Sequence, residues 1–112
     1  MNIRRVQLET GNVESSAIDS RVLSQYLGGL GLSVRLMAEV PDLTLPPLDP
    51  KLPLIVSVGC LNGTGFSGAN RACFLGVSPL TGLNAPAWLG GDFSTGLARS
   101  GTLALVLLGK AP

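Results

Sequence analysis

Five prolines fall within residues 41–53, near the middle of this 112-residue chain. Proline fixes φ and has no backbone N–H, so a segment this rich in it can be neither a helix nor an inner strand. We therefore predict an extended, ordered surface connection at this place. Directly after it, residues 54–58 form a run of aliphatic, mainly β-branched side chains, which predicts a buried strand.

Before the prolines, the pattern predicts a hairpin and two helices. Apolar and polar residues alternate over residues 3–10, and Gly11-Asn12 has the composition of a tight hairpin turn. Ser20 can cap a first helix that Gly28-Gly29 would end. A second helix is predicted over residues 31–40, where an apolar stripe stops before the first proline of the connection.

After the prolines, strands and one further helix are predicted. They are the strand at 54–58, a strand at 72–77, a short strand up to Trp88, a helix at 92–99 and a strongly apolar strand at 102–108. The resulting order is β-β-α-α-β-β-β-α-β. It predicts one α+β domain over residues 1–112, with a mixed, mostly antiparallel sheet and two or three helices.

Composition excludes several classes of partner. Apolar residues make up 46% of the chain, charged residues 13%, and the formal net charge is +1, so neither a nucleic-acid surface nor a disordered tail is expected. The longest apolar stretch, residues 52–61, is far shorter than a membrane span, and the start of the chain has no apolar leader. We expect a soluble, cytoplasmic protein with reduced thiols, and sparse charge favours a surface partly covered by a partner.

The chain also lacks most of the side chains that catalysis uses. It contains no histidine, and its two cysteines, Cys60 and Cys73, are too far apart in sequence for a Cys-x-x-Cys motif. Zinc sites, iron–sulfur clusters and Ser-His or Cys-His nucleophiles need ligands or bases that are absent. We therefore predict no catalytic residue, no metal ligand and no iron–sulfur cluster ligated by this chain.

Three features remain as candidates for binding. Gly90-Gly91 precede a predicted helix, where free N–H groups could hold an anion, although they could equally make a simple turn. Arg71 begins a predicted strand and could pair with a planar or anionic ligand, although a lone arginine more often forms a surface or interface salt bridge. Trp88, the one tryptophan, could stack on a ring, but core or interface packing is favoured.

Several segments, taken together and in order, carry a resemblance to a known family. They are RVQLETGNVE, YLGGLGL, SGANRACFLGVSPLTG, GGDFSTGLARSG and LALVLLGKA. This set resembles the N-terminal domain of the tungsten-dependent aldehyde:ferredoxin oxidoreductases over nearly the whole chain. The most specific part is R-x6-SPLTG followed by GG-x-F and a terminal GKA.

The resemblance implies a role in holding a cofactor. In the family this domain is a base for a tungsten bis-pterin cofactor and consists of two similar α+β halves, of which this chain resembles one. Arg71 matches the family's pterin-contacting arginine, and Gly90 and Gly91 match its double glycine, which supplies backbone contacts. The chain departs from the family pattern at Trp88, where an asparagine is usual, and at Leu30, where an arginine is usual.

Three functions follow as hypotheses. The first is a pterin-binding subunit or domain of an oxidoreductase, with a tungsten or molybdenum bis-pterin cofactor and with redox ligands on other domains or chains. The second is a self-associating structural half-domain, a homodimer that has lost cofactor binding. The third is a carrier of pterin cofactor to a larger enzyme. Only the first and third predict that Arg71→Ala abolishes ligand retention.

Overall fold

The computed structural model describes residues 1–112. Its elements are β1 (Asn2–Gln7), β2 (Asn12–Ala17), α1 (Ser20–Tyr26), α2 (Gly29–Met37), β3 (Leu54–Val58), β4 (Arg71–Val77), β5 (Asn84–Gly90), α3 (Asp92–Arg99) and β6 (Thr102–Leu108). This is the predicted order of elements, and the α+β class is confirmed.

The six strands form one sheet in the order β2-β1-β6-β3-β4-β5. β1 and β6 run parallel, whereas the other four neighbouring pairs are antiparallel. The predicted mixed, mostly antiparallel sheet is therefore confirmed. The last strand of the chain lies in the middle of the sheet, which explains why β6 is so strongly apolar.

Helices lie on both faces of the sheet. On the face that we call the α2 face, Ser33 of α2 hydrogen bonds with Ser57 of β3 at 2.6 Å between the two hydroxyl oxygens. On the opposite face, which we call the α3 face, the ring of Phe93 lies 6.0 Å from that of Phe74, centroid to centroid. α1 packs against α2.

Fully buried aliphatic side chains fill the space between helices and sheet. Leu32 and Met37 of α2 belong to the same buried cluster as Ile55 and Leu75, which are paired across β3 and β4. Leu103 is fully buried as well and lies on the α3 face, because it alternates with Ala104 along β6. The helices and the sheet thus share one continuous core.

The proline-rich connection is an ordered loop without helix or strand, as predicted. It is held at several points along its length. The Gly109 N–H after β6 donates to the Pro50 carbonyl at 2.9 Å, and the Lys51 N–H donates to the Asp49 carboxylate at 2.9 Å. The connection therefore covers the ends of strands at one end of the sheet, which we call the proline end.

Two of the predicted boundaries in the first part of the chain are wrong. The hairpin turn is not Gly11-Asn12, because Asn12 already pairs with Gln7 as the first residue of β2. The turn lies before it and closes with Gly11 at φ 73°. The cap of α1 is Asp19 rather than Ser20, since a carboxylate oxygen of Asp19 accepts the Arg21 N–H at 2.7 Å.

The predicted break between α1 and α2 is also displaced. Leu27, not a glycine, is the left-handed residue that ends α1, with φ 56°. Gly29 belongs to α2, which begins there rather than at residue 31. The physical reason is that Gly28, at φ 88°, lies against the end of β3 and serves as the N-cap of α2. Gly29, with φ 56°, is then the first residue of α2.

Candidate functional site

Arg71 and Gly90 are directly opposite each other in the sheet. Arg71 is the first residue of β4, Gly90 is the last of β5, and the two pair in the antiparallel register. Paired residues of an antiparallel ladder point to the same face, with Cβ positions about 5 Å apart. Two of the predicted binding residues, which lie 19 positions apart in the sequence, are therefore brought together.

The Arg71 side chain is exposed and has no partner within the chain. The two ion pairs of the structure join Glu39 to Arg5 and to Arg35, and no side-chain hydrogen bond involves the Arg71 guanidinium. Of the alternative that Arg71 forms a surface or interface salt bridge, a pair within the chain is thus wrong, and a pair across an interface stays a prediction. Its five N–H donors are available to a ligand or a partner.

The backbone at Arg71 is fixed by a buried asparagine that the sequence analysis did not single out. Asn62 is 5% exposed. Its amide nitrogen donates to the Arg71 carbonyl at 3.2 Å, and its side-chain oxygen accepts the Gly59 N–H at 3.2 Å. The Asn62-Gly63 pair in a glycine-rich stretch was the available signal, because asparagine often bonds to nearby backbone in such turns.

α3 begins at Gly91 without a side-chain cap. Gly91 has φ 92° and ψ −163°, a conformation that requires glycine, and the Ser94 hydroxyl donates back to its carbonyl at 3.0 Å. No side chain accepts the N–H groups of the first turn. They are therefore free donors, although the Asp92 carboxylate in the same turn already offsets part of the helix dipole.

Gly90 is different, because nothing within the chain requires glycine there. Its φ is not in the left-handed region, and a Cβ built on it would meet no atom within 4 Å. Backbone conformation and internal packing thus explain Gly91 but not Gly90. In a strand, a glycine without an internal constraint often marks a place where a ligand or another backbone can approach closely.

The start of α2 lies at the same end of the sheet. Gly28, its N-cap, forms a bridge with Gly59 directly after β3, and it has φ 88° and ψ −164° with no side-chain cap. The two longer helices therefore both begin here with uncapped N–H groups, one on each face. We call this region, defined by Gly28, Gly59, Arg71, Gly90 and Gly91, the glycine end.

Trp88 lies on β5 opposite Cys73 and is 55% exposed. Of the two packing alternatives expected for Trp88, the core is wrong, because β5 is an edge strand and the indole is uncovered, whereas packing at an interface stays a prediction. Leu30, at the first turn of α2, is also exposed. Both positions where the chain departs from the resembling family are therefore on the surface.

The cysteines and acidic residues do not form a metal site. No group of three or more His, Cys, Asp or Glu side chains could hold one ion. Cys60 is exposed, while Cys73 is buried under α2, and this burial raises the pKa of the Cys73 thiol. None of the three helices is both long and apolar enough to cross a bilayer.

Comparison with known proteins decides the family. Residues 3–112 match the family described as aldehyde ferredoxin oxidoreductase, N-terminal domain. The chain belongs to this family. The resemblance inferred from the ordered segments is thereby confirmed, and the chain is an aldehyde ferredoxin oxidoreductase N-terminal domain of a tungsten oxidoreductase family.

Relatives of known function are much longer than this domain. The tungsten-containing aldehyde ferredoxin oxidoreductase of Pyrococcus furiosus is 36% identical over 107 residues, which are 96% of this chain and 18% of that enzyme. The Pyrococcus horikoshii enzyme of the same name is 31% identical over 109 residues, 97% of this chain and again 18% of the enzyme. The chain thus spans less than a fifth of these relatives.

A solved structure of the same fold is a multi-subunit assembly. The active site complex BamBC of benzoyl coenzyme A reductase, in complex with 1,5 dienoyl-CoA, matches with a TM-score of 0.93 and 33% identity. The match covers 99% of this aldehyde ferredoxin oxidoreductase N-terminal domain and 17% of the matched chain. The agreement extends over every strand and helix described above.

Proposed function

We propose that this domain supplies one wall of a pterin cofactor site in an aldehyde:ferredoxin oxidoreductase-like enzyme. The observation that carries the proposal is the Arg71–Gly90 pair. It places the unpartnered Arg71 guanidinium beside the backbone of Gly90, which has no side chain. The free N–H groups of the first turn of α3 come directly after Gly91 in the sequence. A guanidinium and backbone donors together suit a phosphate or the polar edge of a pterin ring.

The shape of the glycine end sets the limits of this role. No cavity of the structure is lined by Arg71, Gly90 or Gly91, so the surface there is open. Small-molecule sites normally bury about 70–90% of their ligand. The domain would therefore contact one side of the cofactor, and other domains or chains of the enzyme would enclose it.

The residues present fit the pterin rather than the metal. The chain offers no cluster of metal ligands, so tungsten or molybdenum would reach this domain only through the pterin that carries it. The redox chemistry belongs to the bound cofactor. The task of this chain would be to bind and orient, with Arg71 neutralising anionic charge and the glycine backbone allowing close approach.

Native mass spectrometry of the chain tests this proposal. Wild-type protein should be purified from cells grown with tungstate, beside products of its genomic neighbours, together with Arg71→Ala and the control Arg21→Ala. Arg21 is exposed, and its guanidinium has no partner in the chain. We expect pterin mass on wild type and on Arg21→Ala, and at least about a tenfold loss on Arg71→Ala, since a charge-assisted contact is worth about 1.5–3 kcal/mol.

Stability should be the same in the three proteins, because exposed substitutions away from packed features change it by less than about 0.5 kcal/mol. Absence of pterin from the wild type would contradict the proposal. Equal retention by Arg71→Ala would contradict the role of Arg71.

Self-association is the second candidate, and the β2 edge favours it. β2 is exposed along its whole length, pairs on one side only, and carries Val13 at 58% exposure. The other edge strand, β5, contains Pro86, which lacks an N–H and weakens pairing. The spectra described above also report subunit number. A dimer unaffected by Arg71→Ala supports this candidate, and a monomer at micromolar concentration contradicts it.

A further inference from the structure

Trp88 shares a face and a neighbourhood with the Arg71–Gly90 pair. Trp88 and Gly90 are two positions apart on β5 and therefore point to the same face, which is also the face of Arg71 and Cys73 by the register of β4 and β5. Diagonal neighbours of this kind lie about 7–8 Å apart, within reach of aromatic and long side chains. The indole and the guanidinium thus flank the bare backbone of Gly90.

The flank of α2 that faces β5 is apolar, and it does not cover the indole of Trp88, which is exposed to solvent. On the far flank, Arg35 joins Glu39 at 3.1 Å, and Glu39 joins Arg5 of β1 at 3.1 Å, so that side of the helix faces β1. Leu30 and Val34 lie on the other side, toward β5, and both are exposed. Trp88 therefore shares one face of the sheet with an exposed apolar flank of α2 and with the Arg71 cation, and its indole is uncovered.

We propose that Trp88 is the ring-contacting residue of the Arg71 site, which takes a planar heteroaromatic ring bearing an anionic group. This inference rests on the proposed function and names the residue that would recognise the ring. An indole offers a flat apolar surface for stacking, Gly90 puts no side chain in the way, and Arg71 lies where a carboxylate or phosphate on the ring would need a counter-charge.

The position of Trp88 beside Gly90 distinguishes a specific ring-binding site from nonspecific apolar contact with a protein partner. A tryptophan that only packs against a protein partner gains from any apolar surface and needs no glycine beside it. Here the open space at Gly90 adjoins Trp88, two positions before it on β5, and Arg71, directly opposite it on β4, so a ring placed over Gly90 would have a charge at its edge. Binding should therefore need the ring and the anion on the same molecule.

The single tryptophan makes this testable by NMR. Its indole N–H gives one side-chain signal in the spectrum of the ¹⁵N-labelled 112-residue chain. We would titrate the chain with pterin-6-carboxylate, with pterin lacking the carboxylate, and with inorganic phosphate. The proposal predicts that the indole signal shifts with pterin-6-carboxylate at the lowest concentration, and that phosphate alone leaves it in place.

Two variants of Trp88 distinguish stacking on an aromatic face from contact with any large apolar side chain. Base-aromatic stacking is worth about 1–3 kcal/mol, so Trp88→Leu should weaken pterin-6-carboxylate binding by about 5-fold to 150-fold, measured on the Gly90 amide. Trp88→Phe keeps an aromatic face and should bind within about 5-fold of wild type. Trp88 is exposed, so both variants should fold, and the rest of the spectrum reports this directly.

The outcomes distinguish this inference from the proposed function. If Arg71→Ala abolishes binding while Trp88→Leu binds like wild type, the inference is wrong and the proposed function stands. If neither substitution changes binding, or if the wild type does not bind, both are wrong. Loss of a dimer in Trp88→Leu without any change in ligand binding would show that Trp88 contacts a second copy, and this too would overturn the inference.

Discussion

The two ends of the sheet satisfy their polar groups in different ways. At the proline end, polar groups are paired within the chain. The Gly109 N–H donates to the Pro50 carbonyl, and the Thr44 hydroxyl and N–H donate to the Asp42 carboxylate at 2.6 and 2.9 Å. These bonds lower the pKa of the Asp42 carboxyl. At the glycine end, the Arg71 guanidinium and the first-turn N–H groups of α3 have no such partners.

The difference shows which end of the domain is built for its own stability. A loop rich in proline loses little entropy on folding and can close strand ends with local hydrogen bonds. At the glycine end, Gly28 is needed for the packing of α2 on β3, whereas the free donors at Arg71 and after Gly91 form no bond within the chain and are available for contact with another molecule. The glycine end should therefore be rigid at Gly28, where α2 packs on β3, and free at Arg71, Gly90 and Gly91, where a ligand would bind.

The largest effect is expected from Gly28→Ala. A Cβ on Gly28 would overlap the Val58 carbonyl oxygen, and φ is 88°, so the change combines a steric clash with a strained backbone. We expect a loss of about 3 kcal/mol or more in the free energy of unfolding, measured by urea denaturation. The matched control is Gly29→Ala, where φ is 56° but the space is open, and where only about 1–2 kcal/mol should be lost.

Equal losses in the two glycine variants would contradict the close approach of α2 to the end of β3. The bridge between Gly28 and Gly59 would then not hold the start of the helix.

A smaller effect is expected from Ser57→Ala. The Ser57 hydroxyl is buried, donates to the Gly29 carbonyl at 2.7 Å and bonds to Ser33 at 2.6 Å, so its removal leaves buried polar groups unpaired at the start of α2. We expect a loss of about 1–3 kcal/mol in the free energy of unfolding. Ser24→Ala, at an exposed site of α1, is the control and should change it by less than about 0.5 kcal/mol. A Ser57 variant as stable as this control would show that the hydroxyl network does not anchor α2.

The sequence was sufficient for the order of the elements because each has a strong local signal. The aliphatic run of β3, the prolines before it and the apolar strand β6 act through periodicity and backbone restriction, which need no knowledge of the fold. The boundaries near glycines were harder. Gly28 and Gly29 look alike in sequence, yet one caps a helix against β3 and the other begins that helix, and only the tertiary contact separates them.

The arrangement of the candidate residues could not be predicted from the sequence. Arg71, Gly90 and Gly91 were singled out by their places before a strand and a helix and by the family resemblance, but no local pattern says that Arg71 and Gly90 pair across two strands. Asn62 was missed because its role depends on reaching back to Gly59 and forward to Arg71 at once. The exposure of Trp88 could not be foreseen either, since it follows from β5 being the edge of the sheet.

The most direct test of the central claim is a map of backbone amide shifts on the ¹⁵N-labelled chain as pterin-6-carboxylate is added. If the glycine end is the binding surface, the amide signals of Gly90, Gly91 and Asp92 should shift together and saturably in the wild type. The same three signals should not shift in the Arg71→Ala variant. The Gly109 signal at the proline end should stay in place in both proteins. Shifts centred on Gly109 and Lys51, which line the grooves beside the prolines, would contradict this account. A spectrum in which no amide of the glycine end moves would contradict it equally.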